Sequence, residues 1–164
     1  MAASRCREGA GKRPRAAAEE QKFIDYFPAL SIERLYRLSP EQRPSDVPDA
    51  PVFHGWVIAA EGDPLPSALA QNVLKVGLRD ILKSEIPLGG PTLMCGFIPH
   101  HGFVLTDGKQ RFDVLICFEC GEYQIYASEE QILSDHFTLA TRAVWDRAYA
   151  AAGLIQPDSR KGLR

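Results

Sequence analysis

Four residues in the second half of the chain could together bind a metal ion: Cys95, His101, Cys117 and Cys120. Cys117 and Cys120 are separated by two residues and followed by a glycine, a spacing that lets two thiolates reach one tetrahedral ion. A structural zinc site needs two further ligands, and Cys95 with His101, or with His100, are the nearby Cys and His residues. A zinc ion bound by these four side chains is therefore one interpretation of the cluster.

The same residues allow three other interpretations. Free cysteines often lie buried as small apolar residues, and His101 would then be a core histidine. Cys117 and Cys120 could be a thiol redox pair, although such pairs usually lie at a helix N-terminus, where the dipole lowers the thiol pKa. A cysteine nucleophile with a histidine base would need an orienting group that the sequence does not identify. We expect a non-enzymatic binding or structural module with zinc as its cofactor, and keep a thiol/disulfide redox protein as the alternative.

Composition and charge indicate a single soluble domain. The chain has 164 residues, of which 45% are hydrophobic and 24% charged, with a formal net charge of −2. A chain of this length buries enough surface for one hydrophobic core. It has no apolar run of about 18 residues, so we expect no membrane span. We therefore expect one domain over residues 17–155.

The two ends of the chain are polar. Residues 1–16 carry five basic side chains and one acidic side chain, which predicts a disordered basic tail, and residues 156–164 form a second, polar tail. The basic tail has no aromatic residue that could stack on a base, so we do not expect nucleic acid as a partner. No signal peptide is visible, and we expect a cytoplasmic location.

Periodicity predicts the elements that would position the cluster. Residues 17–36 hold two short helical stretches interrupted at Pro28, residues 53–60 alternate like a strand, and residues 69–83 have the apolar spacing of an amphipathic helix. Two alternating runs around Asp107-Gly108 predict a β-hairpin. If these two residues form the turn, Phe103 lies opposite Phe112. A register with Phe103 opposite Val114 keeps the same faces and stays open.

This hairpin both supports and restricts the zinc interpretation. The first register places Cys95 opposite Cys120, with His101 on the same face. In an unbroken strand, however, Cys117 and Cys120 point to opposite faces, so a shared ion requires a bulge or turn at residues 118–121.

The remaining elements complete the predicted fold. Residues 122–127 alternate like a strand, residues 128–131 spell a capping box that would begin a helix, and residues 137–151 carry a helical stripe that ends at Gly153 and Leu154. We predict an α+β fold, an antiparallel sheet with a central β-hairpin and with helices packed mainly on one face.

Three segments resemble a family of small uncharacterised bacterial proteins: Phe53-His54-Gly55-Trp56, Pro99 through Phe103, and Asp113 through Cys120. The resemblance extends from about residue 38 to about residue 154. That family has a Phe-His pair before a helix, then a Cys-x-x-Pro-x-His-Gly segment, then a Cys-Phe-Glu-Cys strand. Here Gly96 occupies the position of the first family cysteine, and Cys95 lies one residue earlier. The resemblance implies a shared fold and supplies no activity.

Two further polar residues carry weaker signals. His54 could approach the cluster as a ligand, but we expect a hydrogen-bonded structural histidine, because imidazole readily satisfies polar groups in a core. Asp113 belongs to no recognisable carboxylate pair. The sequence therefore assigns no catalytic residue.

Overall fold

Strand β1, at Ser31–Ser39, joins the two parts of a seven-stranded sheet. The structure is a computed structural model, and it describes residues 14–78, 96–118, 121–136 and 142–154. The other strands are β2 (Val52–Phe53), β3 (Trp56–Glu61), β4 (His101–Thr106), β5 (Arg111–Cys117), β6 (Glu122–Ala127) and β7 (Glu130–His136). All neighbouring strands pair antiparallel, in the order β2-β3-β1-β4-β5-β6-β7. The sheet curls into a half-barrel.

Three short helices accompany the sheet in the described residues. They are α1 (Pro14–Tyr26), α2 (Ser67–Asn72), which continues as a π-helical segment (Val73–Leu78), and α3 (Arg142–Ala151). Single 3₁₀ turns lie at Phe27–Ala29 and Pro44–Asp46. Among the described helices, none is long and apolar enough to cross a membrane. Helix α1 begins within the predicted basic tail, whose residues 1–13 lie outside the described ranges.

The predicted α+β fold, with a central hairpin and helices mainly on one face, is wrong. The structure is mostly antiparallel sheet, because two segments with helical sequence signals form strands. These segments are β1 and β7. Each adds a strand to the sheet and removes a helix from the predicted layer.

A β-bulge explains why β1 has the spacing of a helix. Ile32 pairs with Leu105 and Arg34 pairs with Val104, so Glu33 is an extra residue in β1. Ile32 and Leu35 therefore pack on the same core although they are three residues apart. Apolar residues three apart usually indicate a helix. The bulge produces the same spacing in a strand.

Backbone geometry at Ser128 excludes the predicted helix start. Ser128 has φ +56° in the two-residue connection between Ala127 and Glu130, which pair across β6 and β7. A helix N-cap residue instead has an extended backbone. The capping-box pattern therefore marks a tight turn between strands.

The hairpin of β4 and β5 has the longer of the two registers. Phe103 pairs with Val114, and Thr106 pairs with Arg111, so four residues form the connection. The carboxylate of Asp107 accepts hydrogen bonds from the backbone N–H groups of Lys109 and Gln110, at 2.8 and 2.7 Å. The register with Phe103 opposite Phe112 is wrong because Asp107 closes a longer loop through these bonds.

Strands β4 and β5 are buried on both faces. Phe103 on β4 packs into a first core with Phe23 of α1 and Trp145 of α3. Val104 and Leu115, on the opposite face of the same two strands, belong to a second core. The second core is covered by the β2–β3 hairpin, through Phe53 and Trp56.

Helix α3 packs closely on the π segment. Trp145 is fully buried, and a Cβ atom on Gly77 would lie 2.7 Å from its Nε1 atom. Glycine is thus the residue that permits this approach. Val73 and Leu78 of the same segment are also fully buried, which anchors the C-terminal half of α2 in the first core.

Candidate functional site

The two described members of the predicted zinc set lie on opposite faces of the sheet. His101 pairs with Ile116, and the next residue along β5, Cys117, points to the other face because strand side chains alternate. The sulfur of Cys117 is bonded in a disulfide. The other two members lie outside the described residues: Cys95 and Cys120. In the described part of the chain, no three His, Cys, Asp or Glu side chains form a group that could hold a metal ion. The zinc set stays a prediction.

His101 occupies an apolar environment in the first core. It is 7% exposed, and its ring makes edge contacts with Phe118 and Tyr149, at centroid distances of 5.0 and 4.4 Å. Its Nδ1 atom is buried and has no hydrogen-bond partner among the described residues. Burial, with a smaller contribution from the positive potential of His100 and Arg142, lowers the pKa of His101 to about 3. The imidazole is therefore neutral at physiological pH.

A buried hydrogen bond between His54 and Asp113 joins the β2–β3 hairpin to β5. His54 Nε2 lies 2.9 Å from Asp113 Oδ2, and Arg111 Nε donates to Oδ1 of the same carboxylate at 2.9 Å. The side chains of His54 and Asp113 are 7% and 13% exposed, whereas that of Arg111 is 57% exposed. The hydrogen bond to Asp113 raises the pKa of Arg111 above its usual value. Two donors thus compensate the burial of one carboxylate.

His54 has an unusual backbone conformation. It lies with Gly55 in the two-residue connection between Phe53 and Trp56, and the two residues have φ +48° and +84°. Two positive φ angles are typical of a type I′ hairpin turn. A left-handed conformation costs a non-glycine residue roughly 1–2 kcal/mol. Stacking of the His54 ring on Tyr126, at a centroid distance of 4.1 Å, and the bond to Asp113 offset this cost.

The hydrogen bond also sets the chemistry that His54 can perform. An imidazole that donates through Nε2 in its neutral form keeps a lone pair on Nδ1. Carboxylates orient histidines in this way in general-base and metal sites. The structure gives Nδ1 no hydrogen-bond partner within the described ranges. The observed contacts of His54, with Asp113 and Tyr126, hold the β2–β3 hairpin against the sheet, and we call this arrangement the hairpin clamp.

The sequence predicted a hydrogen-bonded structural histidine at His54 but did not predict Asp113 as its partner. His54 is hydrogen-bonded, as expected of a structural histidine, but to Asp113, for which no partner was expected. A signal was present, because Asp113 is the only charged residue in the apolar run of residues 112–118. A buried carboxylate needs donors, so this position required a partner from elsewhere in the chain.

A cavity of about 720 Å³ lies between α2 and the start of β1. Its apolar lining includes Phe27, Leu30, Ile32, Leu65, Ala70 and Leu74. Ser67, Gln71 and Lys75 also line it, and these three exposed side chains recur every four residues along α2 and the π segment. Ligand pockets commonly have volumes of roughly 300–1,000 Å³, with apolar walls and a few polar groups. The cavity has this character.

Comparison of the chain with models of protein families, with curated proteins and with solved structures finds no match.

Replacing Asp113 with alanine should destabilise the protein strongly. The change leaves the buried Nε2–H group of His54 without an acceptor and releases the hairpin, and breaking such buried pairs typically costs about 3 kcal/mol. Urea denaturation measures the change in the free energy of unfolding. Glu61→Ala is the matched control, because it breaks a half-exposed ion pair with Arg34 and should have a much smaller effect. Equal effects of the two changes would show that the hydrogen bond between His54 and Asp113 contributes no more stability than a half-exposed ion pair.

Replacing His101 with phenylalanine should reduce the loss of stability in acid. The pKa of His101 is about 3 in the folded protein and 6.5 as an unperturbed value. Below pH 6.5 the unfolded chain therefore takes up a proton that the folded chain does not, and wild type loses up to about 1.4 kcal/mol per pH unit. Urea titrations at pH 7, 5.5 and 4 should show that the free energy of unfolding decreases less in the variant than in wild type as the pH falls. Parallel pH curves would contradict the buried neutral state of His101.

Proposed function

We propose that this protein is a binding module whose ligand site is the cavity between α2 and β1. The observation that carries the proposal is a cavity of about 720 Å³ with mostly apolar walls. Burial of an apolar ligand there would be favourable by about 25 cal/mol per Å² of apolar surface removed from water. The cavity can therefore supply binding energy without a metal or a covalent bond.

The walls of the cavity are anchored to the rest of the fold. Leu30 is 5% exposed and belongs to the first core, and Leu74 packs against that core from the π-helical segment. The neighbouring Val73 is fully buried. Rigid walls lower the conformational entropy that a protein loses when it binds a ligand. This arrangement favours a site that is formed before the ligand arrives.

Filling the cavity should abolish binding of an uncharged apolar probe. N-phenyl-1-naphthylamine, whose fluorescence increases in apolar surroundings, should bind wild type. Ala70→Phe places a ring in the cavity and should raise the dissociation constant roughly tenfold or more, which corresponds to about 1.4 kcal/mol. Fluorescence titration measures this change.

Ala68→Phe is the matched control for this experiment. Ala68 is an exposed residue of the same helix and is not part of the cavity lining. The two changes have the same cost in helix propensity, so only Ala70→Phe should affect the probe. Absence of probe binding to wild type, or equal effects of both changes, would overturn the proposed site.

A second candidate is a thiol/disulfide redox protein, and the disulfide of Cys117 favours it. Burial argues against rapid exchange, since Cys117 is only 1% exposed and a thiolate must reach a sulfur atom to reduce the bond. The predicted zinc site requires thiolates in place of this disulfide. Counting free thiols distinguishes these states.

We predict that two of the four cysteines are blocked in protein purified without reductant. After denaturation, alkylation and intact-mass measurement should show two labelled cysteines, and four after reduction. Cys117→Ser should show three without reduction, because the change frees its partner. The serine variants of Cys6, Cys95 and Cys120 identify that partner, since only one of them should also give three.

The same assay in glutathione buffers separates a redox pair from a structural disulfide. A reversible change between two and four labels near the cytosolic glutathione potential would support the redox candidate, whereas a fixed count of two would exclude it. Four labels in untreated protein, with release of one zinc per chain, would support the zinc site instead.

A further inference from the structure

Lys75 is the only charged residue in the described lining of the cavity. The lining includes no aspartate or glutamate among the described residues, so no carboxylate there neutralises this ammonium group. A binding site with a single cation and apolar walls favours a ligand that is apolar with one anionic group. The charge of the lining thus restricts the class of ligand.

Three donors follow one edge of the cavity. Ser67, Gln71 and Lys75 are spaced by four residues, which places their side chains on one side of the helix. A serine hydroxyl supplies one donor, a glutamine amide two and a lysine ammonium three. Oxyanion groups such as carboxylate and phosphate accept several hydrogen bonds at once. The row is therefore suited to the oxygen atoms of an anionic head group.

These donors are available, in contrast to a polar group on the opposite wall. The hydroxyl of Ser31, on β1, donates to the backbone carbonyl of Thr106 at 3.0 Å. For Ser67, Gln71 and Lys75 the structure records no side-chain hydrogen bond or ion pair with any described residue. The three available donors lie on the α2 side of the cavity, whose lining also includes the apolar side chains of Ile32 and Leu74.

We propose that the cavity binds a small amphipathic oxyanion, with its apolar chain or ring between α2 and β1 and its anionic group at Lys75, Gln71 and Ser67. This inference rests on the proposed function, because it names the ligand class of the same cavity. Lys75 supplies the charge attraction, and the other two side chains orient the head group. The apolar walls supply most of the affinity.

Competition for the cavity tests the ligand class. Decanoate, decyl phosphate and decanol share one alkyl chain and differ in the head group. At pH 8, each is titrated against N-phenyl-1-naphthylamine bound to wild type. We expect the better of the two anions to displace the probe at a concentration roughly tenfold lower than decanol does. The difference between decanoate and decyl phosphate shows which oxyanion the edge prefers.

Two lysine variants test whether Lys75 is responsible for the preference for anions. Lys75→Gln should remove the advantage of the anions over decanol, measured within the same variant. Lys109→Gln is the matched control, because it removes the same charge from the exposed loop between β4 and β5. This control should preserve the advantage.

The outcomes separate the two proposals. If the probe binds but the anions compete no better than decanol, the ligand class is wrong and the proposed binding cavity stands. An advantage that Lys75→Gln leaves unchanged, or that Lys109→Gln also removes, overturns the assignment to this edge. If wild type binds neither probe nor decanol, the proposed function fails and the ligand class fails with it.

Discussion

Burial of both faces of strands β4 and β5 is the constraint on which the rest of the structure depends. Phe103 and Val104 are adjacent, both fully buried, and face opposite cores. Each face must therefore be covered by other elements, since exposing either would cost roughly 25 cal/mol per Å² of apolar surface. Helices α1 and α3 cover one face, and the hairpin of β2 and β3 covers the other. The left-handed turn at His54 and its hydrogen bond to the Asp113 carboxylate connect that hairpin to β5.

The two buried histidines illustrate two ways in which a sheet of this kind accommodates imidazole. His54 has a carboxylate acceptor and an aromatic stacking partner on the second face. His101 has aromatic neighbours but, in the part of the chain that the structure describes, no hydrogen-bond partner for Nδ1, and burial keeps the ring neutral by lowering its pKa. A neutral imidazole can serve as a metal ligand in principle, but Cys117 points to the other side of the sheet and is already in a disulfide. The geometry therefore separates residues that are close together in sequence.

Local features of the fold could be predicted from sequence, and features that depend on distant pairing could not. The glycine cap of α3 is confirmed: Gly153 has φ +74°, and Leu154 N–H donates to the Tyr149 carbonyl at 2.8 Å. The loop between β4 and β5 was predicted from Asp107 and Gly108, and its hydrogen bonds join residues of the loop itself. In β1, by contrast, the bulge that gives Ile32 and Leu35 a common face exists only because β4 lies beside them. A strand with such a bulge has the periodicity of a helix.

The candidate site was likewise predictable only in its local features. Sequence spacing brought Cys117 and His101 into one hypothesis, but strand alternation, which depends on register, placed them on different faces. The cavity was not predictable, because its walls come from segments that meet only after folding. Even α2 depends on tertiary contacts, since an isolated helix of this length would be marginal in water. Its position is fixed by Val73, Leu78 and the contact of Gly77 with Trp145. The helical segment that carries the row of donors, which we assign to an anionic ligand, is therefore positioned by the same core that buries strands β4 and β5.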